Sequence, residues 1–484
     1  MSADGQTLRE IIALDALHLS EAIKQRAVSC HEVMRAYLQQ VARYNSAVNA
    51  LVSLRPQAEL LQEANECDRQ LARGQRRGWL HGIPQAPKDL VACKGLITSM
   101  GSPLFANQVS THDAYAIKRM RQAGAIFIGR SNVPEFALGS HTYNPVFGIT
   151  GNAYNPDLSA GGSSGGAAVA LALKMLPVAD GSDMMGSLRN PAAWNNVYGL
   201  RPSQGRVPTG PAPELFMQQL ACEGPMGRSV ADVAALLRTQ AGFDPGAPLA
   251  LRRTDDLNAA LRRCFNGVRI GWLGDYNGYL PTESGIMALC EAGLEQFRAL
   301  GTDVTHCQPD YDMARLWQCW LTHRHWLVAG LLASAYSSPK TRSKLKPEAV
   351  WEVEQGLKLS ALDIWRASID RSAWYLALLK LFEEYDYLLL PSAQVFPFDK
   401  QQHWPQHIND HPMDTYHRWM EVVIGPTLAG LPTISVPIGF NNNGLPMGLQ
   451  IIGKPHADMA VLQLAYAHEQ QTQWVQKQSP PLLG

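Results

Sequence analysis

The chain has 484 residues, enough for one large or two to three ordinary domains, and its 42 basic and 42 acidic side chains cancel. Zero net charge with 46% hydrophobic residues describes a globular protein without the electrostatic footprint of a nucleic-acid or anionic-membrane binder. The N-terminus lacks the apolar core of a secretory signal and no run of about 18 apolar residues occurs, so a cytoplasmic protein with no membrane partner is expected.

In chain order, residues 19–45 place apolar side chains at helical spacing with Ser29 as N-cap, predicting an amphipathic helical start. The basic stretch QLARGQRR (70–77) reads as a solvated helix end. From about Leu80, short apolar runs such as LHGIPQAPKDLVA, AIFIGRSNVPEF and YLLLPSAQVF end at Gly, Pro or polar residues, with helical stretches such as AYAIKRMRQAG between them. That alternation predicts an α/β sheet covered by helices. Residues 311–422 differ: they are helix-rich and hold eight of the twelve tryptophans. Strands return in PTISVPIGFNNNGLPMGLQIIG around a turn at Asn441–Gly444. The eight cysteines stand singly without a C-x-x-C, and HRH at 323–325 lacks a partner at metal-binding spacing, so neither disulfides nor a metal are expected.

The stretch SAGGSSGGAA (159–168) raises three readings. A linker needs polar, low-complexity flanks, but AAVALALKML follows. A phosphate loop needs Gly-Lys-Ser/Thr after the glycines, and none is present. GSSGG formally matches the G-x-S-x-G elbow around Ser164, but the preceding NAYNPDLSA is a poor buried strand.

The third reading, an active-site floor, comes with a resemblance. GIPQAPKDLVACKGLITSMGS (82–102), GGSSGG (161–166) and GSDMMGSLRNPAAWNNVYGLRPS (181–203) resemble the amidase signature family. The similarity continues in GRSNVPEF, GPMGRSVAD and the C-terminal strand pair, in the family's order. The resemblance implies one domain over 1–484, a large mixed sheet with helices on both faces, and a helix-rich insert (about 311–422) shaping the substrate pocket. It also implies a nucleophile at Ser187, a bridging Ser163 preceded by a cis peptide bond, and Lys88 as base. Backbone N–H groups of Met184, Met185, Gly186 and Ser187 are expected to form the oxyanion hole, with Asp183 and Arg189 as structural support. A lysine acts as base only when neutral, and burial of Lys88 in an apolar, proline-flanked context is the physical way to lower a pKa of about 10.4. Asp89 opposes that shift if its carboxylate faces the amine.

Two positions depart from the family's pattern. Met185 stands where a glycine is usual, and Ala221 where an aspartate often precedes Gly-Pro. Both weaken a match to the amidotransferase that makes Gln-tRNA. Met184, Met185 and the insert tryptophans suggest a roomy apolar site, similar to that of aryl acylamidases and urethane-cleaving members. The expected partner is a small-molecule amide or carbamate, cleaved without metal or organic cofactor, with a homodimer left open. Two alternatives stand beside this: an amidotransferase component that hydrolyses glutamine, and a silent binding protein on an amidase scaffold.

Overall fold

A computed structural model describes the backbone of residues 3–252 and 255–484 and the side chains of residues 8–252 and 257–484. The predicted start of 19–45 is two helices, because Ser29 begins a new one. Helix Ala16–Lys24 ends, Arg26 takes a positive φ, and α1 (Cys30–Val48) starts from a capping box. In that box Glu32 N–H donates to Ser29 Oγ and Ser29 N–H to the Glu32 carboxylate, satisfying two otherwise unpaired donors.

The centre is an eight-stranded mixed sheet. In chain order its strands are β1 (Val178–Asp183), β2 (Tyr198–Arg201), β3 (Cys222–Gly227), β4 (Arg269–Trp272), β5 (Asp303–His306), β6 (Tyr387–Pro391), β7 (Thr433–Phe440) and β8 (Pro446–Gly453). Their spatial order is β5-β4-β6-β8-β7-β2-β3-β1. β4 runs parallel to β5 and β6, and every other neighbouring pair is antiparallel. The β7–β8 hairpin turns at Asn441–Gly444 as predicted, with the Asn441 carbonyl and side chain accepting from Gly444 and Leu445 N–H.

Further helices complete the frame: α2 (Gly165–Ala172), α3 (Arg189–Trp194), α4 (Val230–Gln240), α5 (Met313–Ser337), α6 (Pro347–Gly356), α7 (Ala361–Glu384) and α8 (Asp458–Thr472). A Cβ at Gly448 would meet Ala193 of α3, and one at Gly453 would meet Val461 of α8. Positions 448 and 453 of one strand point oppositely, so helices cover both faces. Helix α5 packs on both α6 and α7, and the three form the helical part of the Trp-rich insert. The helical part ends at Glu384, and β6 within the expected insert is an interior strand of the sheet. Tyr387–Pro391 is fully buried on both faces, which a continuous apolar run permits. None of the described helices is long and apolar enough to cross a membrane.

Two large apolar clusters meet where β1 ends. Met185 and Trp194 belong to one, Leu188 and Ala192 to the other, so the stretch 185–194 is pinned from both sides.

Candidate active site

The three residues singled out as reactive converge from separate elements. Lys88, bridged to Ser131, is wholly buried, and its backbone N–H donates to Asp180 Oδ2 at 3.2 Å. Its Nζ lies 2.7 Å from Ser163 Oγ, 2.9 Å from Ser164 Oγ and 2.9 Å from Ser182 Oγ. Asp180 and Ser182 alternate along β1, so one strand face offers a partner to both ends of the lysine. Ser182 is the residue that sequence reasoning missed, and Ser164, weighed only as an elbow nucleophile, is instead a second acceptor for the lysine. The signal for Ser182 was the strand period in ADGSD, legible only once Lys88 is known to lie over that face.

Burial is the main force on the amine and pushes its pKa down to about 7, against the pull of Asp183, Asp180 and Glu223. That change raises the neutral fraction at pH 7 from about 1 in 3,000 to about one half. Burial likewise pushes Glu223 up to about 8, so this carboxyl is mostly protonated at neutral pH and its pull on the lysine is weak. Asp89 does not oppose the shift, because its carboxylate is turned to Ser99 and Arg130. A neutral amine has two N–H groups and one lone pair. With Ser164 and Ser182 as acceptors, the lone pair is left for the proton of Ser163.

Gly161–Ser163 form the floor of the site. The Gly162–Ser163 peptide bond is cis, as the resemblance implies. A Cβ on Gly162 would lie 2.9 Å from Thr142 Oγ1 and 3.1 Å from Ser140 C, so the floor has no room for a side chain. Ser187 lies above it. No hydrogen bond joins the Ser163 and Ser187 hydroxyls among the described residues, and the two segments are instead tied by Ser164 N–H donating to Ser187 O at 3.2 Å. Such links commonly tighten only around a bound substrate.

The 184–187 loop is shaped by Asp183. Its Oδ1 accepts from Gly186 N–H at 2.9 Å and its Oδ2 from Leu188 N–H at 3.1 Å. Arg189 pairs with the same carboxylate through Nε and Nη2, and reaches Thr427 Oγ1, Val423 O and Gln450 Oε1. Both ends of the pair are wholly buried. Burial alone would push the Asp183 carboxyl up, but Arg189 and Arg201 hold it well below the ordinary range.

This geometry corrects two expectations. Gly186 N–H is committed to Asp183, which narrows the backbone donors for an oxyanion to Met184, Met185 and Ser187. The loop's left-handed residue is Gly186 (φ +75), where a Cβ would strike Val423, so Met185 carries no strain. Met185 is packed into the apolar core. Met184 is half-buried and its sulfur meets Arg324 Nη1 of α5 at 3.7 Å. Arg324 and His325, in the HRH stretch that lacks a partner at metal-binding spacing, both bind the buried Glu352 of α6.

Beside the floor, residues 138–143 and the insert enclose a narrow cleft of only about 10 Å³, room for a single water. Its lining includes Ser140, His141, Tyr143, Lys346, Trp404 and Trp419. The rings of Tyr143 and His403 stack at 4.8 Å, and Trp419 stacks on Trp194, whose edge abuts Gly161. Burial pushes His141 down to about 4, so its ring is neutral at pH 7. Ser140 Oγ is buried and has no hydrogen-bond partner, the one polar atom of the wall left unsatisfied by the described residues around it. A larger depression of about 600 Å³ between Arg119, Thr239 and Arg252 is open to solvent and shares no residue with this site.

A buried lysine among serines on a glycine floor, at the edge of a mixed sheet, is the architecture of the amidase signature enzymes. The Amidase family profile matches residues 32–462, and the chain belongs to that family of hydrolases. It is 32% identical to a glutamyl-tRNA(Gln) amidotransferase subunit of Methylococcus capsulatus, over 94% of this chain and 96% of that protein. It is 29% identical to an acylamidase of Rhodococcus erythropolis, over 96% of each. The structure superposes on a bacterial aryl acylamidase of the amidase signature family with a TM-score of 0.89 at 28% identity, covering 96% of this chain and 97% of that one.

Proposed function

We propose that the protein hydrolyses the C–N bond of bulky, aryl-bearing amides or carbamates through Lys88, Ser163 and Ser187. The observation that carries the reading is Lys88, wholly buried, poised near neutrality and 2.7 Å from Ser163 Oγ. Ser187 Oγ attacks the substrate carbonyl while its proton moves to Ser163 and the proton of Ser163 moves to Lys88 Nζ. The negative oxygen is received by the N–H groups of Met184, Met185 and Ser187. Collapse breaks the C–N bond, and the leaving amine takes a proton back through Ser163. Water then adds to the acyl-enzyme by the same relay and releases the acid, or a carbonate half-ester from a carbamate.

The aryl preference rests on the aromatic character of the wall beside the floor, built from Tyr143, His403, Trp404 and Trp419. The structural likeness to an aryl acylamidase supports it. The amidotransferase reading is kept by the 32% identity to the glutamyl-tRNA(Gln) amidotransferase protein. Assaying the purified chain on an anilide, an aryl carbamate, acetamide and glutamine separates the two. The proposal expects the aryl substrates to lead acetamide in kcat/KM by at least about 100-fold, since each buried methylene is worth about 0.8 kcal/mol. Glutamine as the best of the four would overturn it in favour of the amidotransferase reading.

A further inference from the structure

Helix α7 is apolar on two opposite faces. Ala367, Trp374, Leu378 and Phe382 face the core. On the other side Leu362, Trp365, Ile369 and Leu376 are 51–67% exposed. At about 100° per residue these four fall within an arc of about 60°, spaced three, four and seven residues apart. They expose on the order of 500 Å² of mostly apolar surface in one strip, the size of the largest apolar patch on a typical monomer, which is often functional.

We propose that two copies of this chain associate through this strip, antiparallel, about a two-fold axis beside Ile369. The spacing is self-complementary. Leu362 and Leu376 each stand seven residues from Ile369, so a two-fold operation sets Leu362 of one copy against Leu376 of the other. The same operation sets bulky Trp365 against Ala373, a large side chain over a small one, and Arg366 against the Ser372 hydroxyl. No like charges face each other along α7 in this register. Two strips together contribute about 1,000 Å² of mostly apolar area, a sufficient centre for an interface of roughly 1,200–2,000 Å² in total. The charges beside the strip are of both signs in equal number (Asp363, Arg366, Lys380, Glu383), which fits a protein partner better than an anionic lipid surface. The inner face of the same helix holds the 423–428 segment behind the active-site loop: Trp374 Nε1 donates to Gly425 O and Arg371 Nε to Leu428 O. Pairing therefore braces the helix behind the segment that supplies Val423 and Thr427 to Arg189.

Sedimentation velocity on the full chain at micromolar concentration tests this, with a two-chain mass expected. Trp365→Glu and Ile369→Asp should each shift it to one chain, weakening association by at least about 100-fold with the far-UV circular dichroism of the folded chain unchanged. Ile369→Cys, lying at the axis, should form an inter-chain disulfide with its counterpart when the diazene oxidant diamide removes the two thiol hydrogens. Leu357→Cys, off the axis, and the parent chain should not. A parent that stays monomeric at about 50 μM, a dimer that survives both charged variants, or a dimer of the Ile369→Cys variant that does not cross-link would overturn the proposal. So would a monomer that instead binds phosphatidylcholine vesicles through Trp365.

Discussion

The glycine floor and the insert wall adjoin each other and are built on opposite physical terms. The floor uses small residues, backbone donors and buried ion pairs, and a side chain added at Gly162 would collide with Thr142 and Ser140. The wall uses large rings on helices and loops, held by packing and by one buried cluster around Glu352. A backbone-built surface fixes atoms tightly and tolerates almost no substitution. A ring-lined surface can change shape while the chemistry is preserved, so the floor should govern rate and the wall should govern choice of substrate.

The largest effect should come from the floor. Ser187→Ala is expected to lower hydrolysis by at least about 10⁴-fold without loss of fold, because the relay then has no nucleophile to serve. A sulfonyl or phosphonate reagent should label Ser187, as read by intact mass, and leave the variant unmodified. Labelling at Ser164 would instead move the chemistry to the elbow motif.

Lys88→Ala should cost about 10²–10⁴-fold. The parent's kcat/KM should rise with pH to half its plateau near pH 7, because only the deprotonated amine accepts a proton. An unchanged pH profile in the variant would remove Lys88 as the base.

The loop's support is next. Asp183→Ala leaves Arg189 buried without its partner and should cost about 3–5 kcal/mol in denaturant unfolding. The folded pKa of Asp183 is depressed, so its stabilising contribution is complete above about pH 4 and is lost only as the pH falls through the lower folded value. A loss below about 1 kcal/mol would show that the pair is dispensable.

The wall should give the smallest and most selective change. Trp404→Ala and Ser140→Ala are expected to lower kcat/KM for an anilide by about 5–20-fold, leaving acetamide hydrolysis and melting temperature nearly unchanged. Parallel losses on both substrates would erase the distinction between floor and wall.

Lys88, Ser163 and Ser187 were legible as candidates because their chemistry sits in contiguous motifs with little freedom to vary. Ser29 as a cap and the Asn441–Gly444 turn were legible too, since both depend on neighbours within a few residues. Met185 was misread as a pocket residue because a side chain's direction in an irregular loop depends on its surroundings, here a core seam and the positive φ of Gly186.

Local pattern thus determined the family, the candidate reactive residues and most of the strands and helices. Only the tertiary structure decided which hydroxyls surround Lys88, which N–H groups remain for an oxyanion, and which of the eight insert tryptophans are core, cleft or surface. Each of these is a contact between residues far apart in the chain: Lys88 and Ser182 are 94 positions apart, and Arg189 and Gln450 are 261. Periodicity and motif spacing describe a residue's neighbours along the chain. Burial, which moves the lysine toward neutrality, depends on the neighbours that packing brings from elsewhere.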